Sequence, residues 1–128
     1  MNNATPGLLP VIKRGEIYWV DWNPARGSEQ AGRRPALIVQ TDAANTNPRY
    51  PNTIVAAIST SGRAIATHVP LTPSPQNGLP SPSFVKCEQL FTLSKSRLQA
   101  RLGQLDPAEL AQIDTALPVF GPVLITFS

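Results

Sequence analysis

The chain has 128 residues, a formal net charge of +3 and a hydrophobic fraction of 41%, which favours one globular domain with a modest core over disorder. One cysteine, Cys87, and one histidine, His68, exclude a disulfide framework and a cysteine-based metal cluster. The N-terminus lacks signal-peptide features and no apolar run is long enough to span a membrane, so the sequence predicts a cytoplasmic protein with no membrane partner.

Charge is unevenly distributed along the chain. Residues 1–63 hold seven basic and four acidic side chains, whereas residues 102–128 hold three acids and no base. A basic half favours a polyanionic partner such as nucleic acid. Because many soluble domains are equally basic, charge alone does not identify the partner.

The first half of the chain is predicted to be strand-rich. Residues 1–12 are expected to form a flexible tail before a single domain over residues 13–128. Strands are predicted in "EIYWVDW" (16–22), "PALIVQT" (35–41), "TIVAAIS" (53–59) and "THVPLT" (67–72). The second of these is almost wholly apolar, which is typical of a strand covered on both faces. In the fourth, Pro70 favours an edge position, since proline cannot donate to a ladder.

The second half adds a loop, two strands and one clear helix. "PSPQNGLPSPS" (73–83) contains four prolines and predicts a long surface loop. "FVKCEQLFTL" and "QARLGQL" are predicted strands, and "SKSRL" between them predicts a helical turn. "DPAELAQIDTAL" (106–117) has Asp106 as N-cap and Glu109 at capping-box spacing, and Pro118 should end or kink this helix. Many short strands and one late helix predict a mainly β (α+β) fold, a small curved barrel with helical additions.

The loop between the first two strands runs from Asn23 to Arg34 and is longer and more polar than a hairpin requires. In its "GSEQAGRRP" segment, Arg34 directly precedes Pro35, so its backbone is held extended. A guanidinium fork fits the paired oxygens of a phosphate. The alternative is that Arg33 and Arg34 are solvated charges, one of them paired with Glu29.

Two other segments place polar groups beside apolar strands. Ser59 and Thr60 follow "AAI", where a hydroxyl can face a ligand or satisfy the turn to Gly62. Gln89, in "KCEQL", can read a base edge or cap a strand end.

Aromatic side chains are the usual stacking surface for single-stranded RNA. Trp19, Trp22, Tyr50 and Phe84 are the larger candidates, and Trp22 beside the loop is the preferred one, in competition with a core role. His68 is predicted to be a structural or solvent-facing strand residue. With one histidine, no histidine pair exists for acid–base work.

Over residues 13–117, five segments in order resemble the MazF/PemK family of toxin endoribonucleases. They are "KRGEIYWVDWNPARGSEQAGRRPALIVQTD", "NTIVAAIST", "THVPL", "VKCEQLFTLSKSRL" and "LDPAELAQIDTAL". The resemblance implies a homodimeric, SH3-like barrel that cuts single-stranded RNA without metal or other cofactor. The RNA 2′-OH would be the nucleophile, leaving a 2′,3′-cyclic phosphate and a 5′-OH. A MazE-like antitoxin would silence the activity by covering the RNA groove.

The resemblance also implies site residues. Arg34 would be the main catalytic residue and Ser59 the strand-end hydroxyl, where the family usually has threonine; Thr60 is the alternative hydroxyl. Glu29 would either accept the 2′-OH proton or orient Arg34. Further RNA contacts are predicted at Ser28, Gln30, Arg33, Thr60, Gln89 and Trp22.

Two other classes of function compete with RNA cleavage. A non-catalytic toxin or binding module on the same barrel, for example one that seizes DNA gyrase, would not need a phosphate-facing arginine in this loop. A metal-dependent hydrolase is disfavoured because the eight acidic residues are scattered along the chain.

Overall fold

The computed structural model describes residues 11–22 and 32–117. Six strands and two α-helices lie in these ranges, with one 3-10 turn at Lys95–Arg97. The strands are β1 (Glu16–Asp21), β2 (Arg33–Ile38), β3 (Asn52–Ser59), β4 (His68–Leu71), β5 (Ser83–Ser94) and β6 (Leu98–Gln104), and the helices are α1 (Asp42–Asn45) and α2 (Pro107–Ala116).

The strands form one curved antiparallel sheet in the order β4-β5-β3-β2-β1-β6, and the sheet is not closed. The predicted mainly β fold with one late helix is confirmed. β4 lies at an edge of the sheet, as Pro70 predicted, since an edge strand leaves one row of backbone groups without a ladder partner. Within the described ranges, no helix has the length and apolar character needed to cross a membrane.

Two apolar clusters cover the two faces of the sheet. The first joins Ile17, Leu37 and Ile58 to Ile113 of α2, and the second contains Val20, Ala36, Ile38 and other side chains. Successive residues of β2 alternate between these clusters, as the two-residue period of a strand requires. The prediction that "PALIVQT" is covered on both faces is confirmed, because Ala36, Leu37 and Ile38 have no exposed surface.

Helix α2 begins at the predicted N-cap. The Asp106 side chain accepts from the Glu109 backbone N–H at 2.7 Å, and the Glu109 side chain accepts from the Asp106 backbone N–H at 2.9 Å. This capping box satisfies donors that the first turn leaves open. The residue expected to end the helix, Pro118, lies outside the described residues.

The proline-rich segment is packed against the sheet, so the prediction of a surface loop is wrong for its centre. Asn77 is fully buried, and its side chain bonds the backbone of Thr72, Ser74 and Leu79 at 2.9–3.0 Å. These bonds replace the backbone pairing that prolines cannot supply. Gly78, with φ +68°, lies directly against the Leu102 carbonyl of β6.

Two other features depart from the predictions. Ile12, assigned to the flexible tail, is fully buried in the second cluster; residues 1–10 of that tail lie outside the described residues. The short helix α1 was not predicted from "TDAANTN". It is held by long-range contacts, among them the buried Lys95 ammonium, which donates to the Asn45 carbonyl at 2.8 Å.

Candidate functional site

The register between β2 and β3 brings the predicted catalytic pair together. Ala36 pairs with Ala57 and Leu37 with Ala56. Continuing this antiparallel register by two residues from Ala36 places Arg34 opposite Ser59. Arg34 belongs to the first residues of β2 and Ser59 is the last residue of β3, so both lie at the same end of the sheet.

A cleft of about 230 Å³ opens at this end of the sheet. Arg34, Ser59 and Thr60 line it together, so both candidate hydroxyls lie at the site. Two arginines and no acidic residue contribute to its described lining, which makes the cleft suited to an anion. The lining comprises Trp19, Arg33, Arg34, Pro35, Ile58, Ser59, Thr60, Pro80, Ser81 and Ser83.

The Ser59 hydroxyl is held by the turn that follows β3. Its Oγ accepts a hydrogen bond from the Ser61 backbone N–H at 3.1 Å. A serine hydroxyl both donates and accepts. Accepting from Ser61 fixes the oxygen, and the O–H remains the group that Ser59 can donate to a ligand in the cleft.

Trp19, rather than Trp22, is the tryptophan at the cleft. The Arg33 guanidinium carbon lies 4.4 Å from the centre of a Trp19 ring, in a cation–π arrangement. Gln99 of β6 holds this arginine in place, since its Oε1 accepts from Arg33 Nε at 2.8 Å. Arg33, Trp19 and Gln99 therefore form a polar and aromatic surface beside Arg34.

The proline-rich loop supplies the remaining wall through Pro80 and Ser81. Together with Gln99, these residues were not among the predicted site residues. In the sequence, only the unusual composition of their loop could have pointed to Pro80 and Ser81 as site residues. Gln99 lies near the site because β6 pairs with β1.

Two other predicted RNA contacts lie elsewhere. Trp22 is 7% exposed and packs edge-on against Phe91, with 4.9 Å between ring centres. Stacking on a base would require the ring to leave this packing. Gln89 lies in an irregular stretch of β5, where three residues are inserted opposite the Ala56/Ala57 step, and it is not part of the described cleft lining.

The described residues end at Trp22 and resume at Gly32, on either side of the loop between β1 and β2. The backbone N–H of Trp22 donates to the Gly32 carbonyl at 2.9 Å, so the strand pairing extends to both ends of this loop. Ser28, Glu29 and Gln30 lie outside the described residues. In residues 11–22 and 32–117, no group of three or more histidine, cysteine, aspartate or glutamate side chains is arranged to hold a metal ion.

Residues 13–120 match the model of the family described as PemK-like, MazF-like toxin of type II toxin–antitoxin system. The endoribonuclease MazF of Staphylococcus epidermidis is 36% identical over 112 residues, covering 85% of this chain and 90% of that protein. The endoribonuclease EndoA of Bacillus subtilis is also 36% identical over 112 residues, covering 85% of this chain and 93% of the relative.

Solved structures show the same architecture. A mycobacterial endoribonuclease in complex with its cognate antitoxin superposes with a TM-score of 0.70 at 27% identity, covering 91% of this chain and 99% of that one. Another solved structure, of an endoribonuclease from a mycobacterial species, gives a TM-score of 0.69 at 28% identity and covers 87% of this chain and 91% of that one.

Proposed function

The chain belongs to the family of PemK-like and MazF-like toxins of type II toxin–antitoxin systems, and on this premise we propose that it is an endoribonuclease that cuts single-stranded RNA at short sequence motifs. The observation that carries the proposal is the meeting of Arg34 and Ser59 in one basic cleft. An RNA phosphodiester bound in this cleft would contact both the Arg34 guanidinium and the Ser59 hydroxyl.

Arg34 would bind the scissile phosphate and stabilise the charge that develops on it. A guanidinium stays protonated in proteins, so Arg34 acts as a cation and hydrogen-bond donor rather than as a base. In the reaction, the RNA O2′ attacks phosphorus while the bond to O5′ breaks. The products are a 2′,3′-cyclic phosphate and a 5′-OH, and the extra negative charge of the pentacoordinate transition state faces Arg34.

Ser59 would donate its O–H to a phosphate oxygen or to the departing O5′. Its Oγ is already fixed by the Ser61 N–H, so the donation needs little reordering. Glu29 would either accept the proton of the 2′-OH or orient Arg34, and in the second case that proton passes to solvent water. Neither histidine pairs nor a metal take part in this scheme.

RNA bases would bind on the surface formed by Trp19, Arg33 and Gln99. The guanidinium of Arg33 lies over the Trp19 ring and is held by Gln99, so its outer face is a planar stacking surface. Thr60 and the loop residues Ser28 and Gln30 complete the proposed RNA contacts, with Gln89 as a more distant one.

A MazE-like antitoxin would inhibit the enzyme by occupying the cleft with an extended segment. The mycobacterial endoribonuclease bound to its cognate antitoxin supports this part of the proposal. The proposal also includes a homodimer and action in the cytoplasm, where the RNA substrate is translated.

The test is cleavage of a long single-stranded RNA by the purified protein in the presence of EDTA. We expect discrete fragments whose new 5′ ends accept phosphate from polynucleotide kinase without prior phosphatase treatment, and an intact duplex made from the same sequence. Cleavage that disappears on chelation would contradict the metal-independent scheme. Intact RNA together with inhibition of DNA gyrase would favour the non-catalytic alternative.

A further inference from the structure

His68 is buried and bonded through both ring nitrogens. Its side chain is 6% exposed, so the solvent-facing alternative is wrong. Nδ1 accepts from the backbone N–H of Arg63 at 3.0 Å, and Nε2 lies 2.8 Å from Glu88 Oε2. Arg63 belongs to the β3–β4 loop, residues 60–67, and Glu88 belongs to the irregular stretch of β5.

These bonds fix the protonation of the neutral ring. Nδ1 faces a backbone donor and must accept, so the ring proton lies on Nε2 and is donated to Glu88. Burial alone would raise the pKa of the Glu88 carboxyl, but hydrogen bonds from His68, from its own backbone N–H and from Thr67 lower that pKa below its usual range. Glu88 is therefore an ionised acceptor at neutral pH.

The β3–β4 loop starts inside the cleft and returns to His68. At its beginning, the Ser61 N–H bonds Ser59 Oγ at 3.1 Å. At its end, the Ile65 N–H bonds the Arg63 carbonyl at 2.9 Å and the His68 N–H bonds the Ile65 carbonyl at 3.0 Å. Arg63 is thus the point where the loop is tied to a side chain of β4.

Phe84 fixes the middle of the same loop. It pairs with Ser59 across β3 and β5, and its ring centre lies 6.2 Å from that of His68. A methyl group at Gly62 would lie 2.9 Å from Phe84 Cβ and closer still to the ring. The loop backbone therefore packs directly on the Phe84 side chain, and no space is left for the loop to move closer to the sheet.

We propose that His68, held by Glu88, is a positioning residue for the cleft hydroxyls. By accepting the Arg63 N–H, its Nδ1 sets the path of the β3–β4 loop, and with it the place of Ser59 and Thr60 beside Arg34. His68 does not touch the RNA. This inference rests on the proposed ribonuclease function, because the effect is read at the cleft.

Two matched variants distinguish the contributions of the hydrogen bonds made by the two ring nitrogens. His68→Asn keeps an acceptor near the Nδ1 position and loses the bond to Glu88, whereas His68→Gln keeps a polar group near Nε2 and loses the acceptor for Arg63. We expect His68→Asn to keep most of kcat, because its side-chain oxygen can still accept from the Arg63 N–H, although without Glu88 that oxygen is held less firmly. We expect His68→Gln to lower kcat about 10- to 100-fold with little change in KM, as misplacement of a catalytic group does.

A measurement on the unaltered protein tests the arrangement without using activity. The ¹⁵N NMR spectrum of His68 should show the tautomer protonated at Nε2, and the Arg63 amide should exchange slowly with solvent. A proton on Nδ1, a freely exchanging Arg63 amide, or a His68→Gln variant with full kcat would each overturn the inference. If the parent protein fails to cut RNA, the proposed function fails, and the NMR result still decides whether His68 Nδ1 accepts from the Arg63 N–H.

Discussion

Replacing Gly103 by alanine tests how closely the proline-rich loop is built onto β6. A Cβ at this position would lie 2.6 Å from the carbonyl carbon and 2.7 Å from the carbonyl oxygen of Asn77, and closer still to the Gln76 carbonyl oxygen. Backbone atoms cannot rotate away as a side-chain end can. The loop would therefore have to move as a unit.

The magnitude follows from two contributions. Overpacking of a close contact costs about 1–3 kcal/mol, and moving Gln76 endangers the 3.0 Å bond from the Gln104 N–H to its carbonyl, worth about 1 kcal/mol net. We expect Gly103→Ala to lower the free energy of unfolding by about 2–4 kcal/mol in urea titrations. RNA cleavage should fall as well, because Pro80 and Ser81 of this loop line the cleft.

Gly32→Ala is the matched control, because it isolates backbone conformation from steric contact. Gly32 has φ +70°, and no atom of the described residues lies within 4 Å of its hypothetical Cβ, so alanine there should cost only about 1–2 kcal/mol for the left-handed conformation. A Gly103→Ala protein as stable as the parent, or more stable than Gly32→Ala, would refute the close packing of loop and strand.

Two further predictions concern groups away from the cleft. Asp106→Ala should lower the free energy of unfolding by about 1 kcal/mol through loss of the cap on the Glu109 N–H, while Asp106→Asn should keep most of it; urea titration of both variants measures this. Burial and the hydrogen bond to Glu16 raise the pKa of Tyr18 to about 12, so ultraviolet titration should show one tyrosine ionising well above 10. Since the folded pKa is the higher one, the associated stability is complete below pH 10 and is lost as the pH rises towards 12.

Local sequence rules predicted the elements whose causes are local. Asp106 and Glu109 begin α2 because their side chains complete each other's backbone bonds within four residues. Pro70 marks an edge strand because proline lacks a donor, whatever its neighbours are. The pairing of Arg34 with Ser59, in contrast, does not have a local cause in the sequence. It depends on the register between β2 and β3, and the family resemblance supplied it where periodicity could not.

Features set by distant contacts were not predictable. Asn77 lies in a segment predicted to be a surface loop, but its side chain bonds the loop backbone from inside and holds the loop together against β6. Trp19 and Trp22 are equally aromatic in sequence, and the structure distinguishes them by the packing of Trp22 on Phe91 and of Trp19 on Arg33 in the cleft. Gln99 became a site residue because the first and last strands are neighbours in the sheet.

Arg34 is proposed to stabilise the transition state of RNA cleavage. The most direct measurement is the single-turnover cleavage rate at saturating enzyme, in EDTA, for the parent protein, Arg34→Lys and Arg34→Ala. We expect Arg34→Ala to be slower by about 100- to 1,000-fold, the usual cost of removing one preorganised donor, with Arg34→Lys between the two because it keeps the charge and loses the fork. An Arg34→Ala protein that cuts at the undiminished rate would show that Arg34 does not stabilise this transition state.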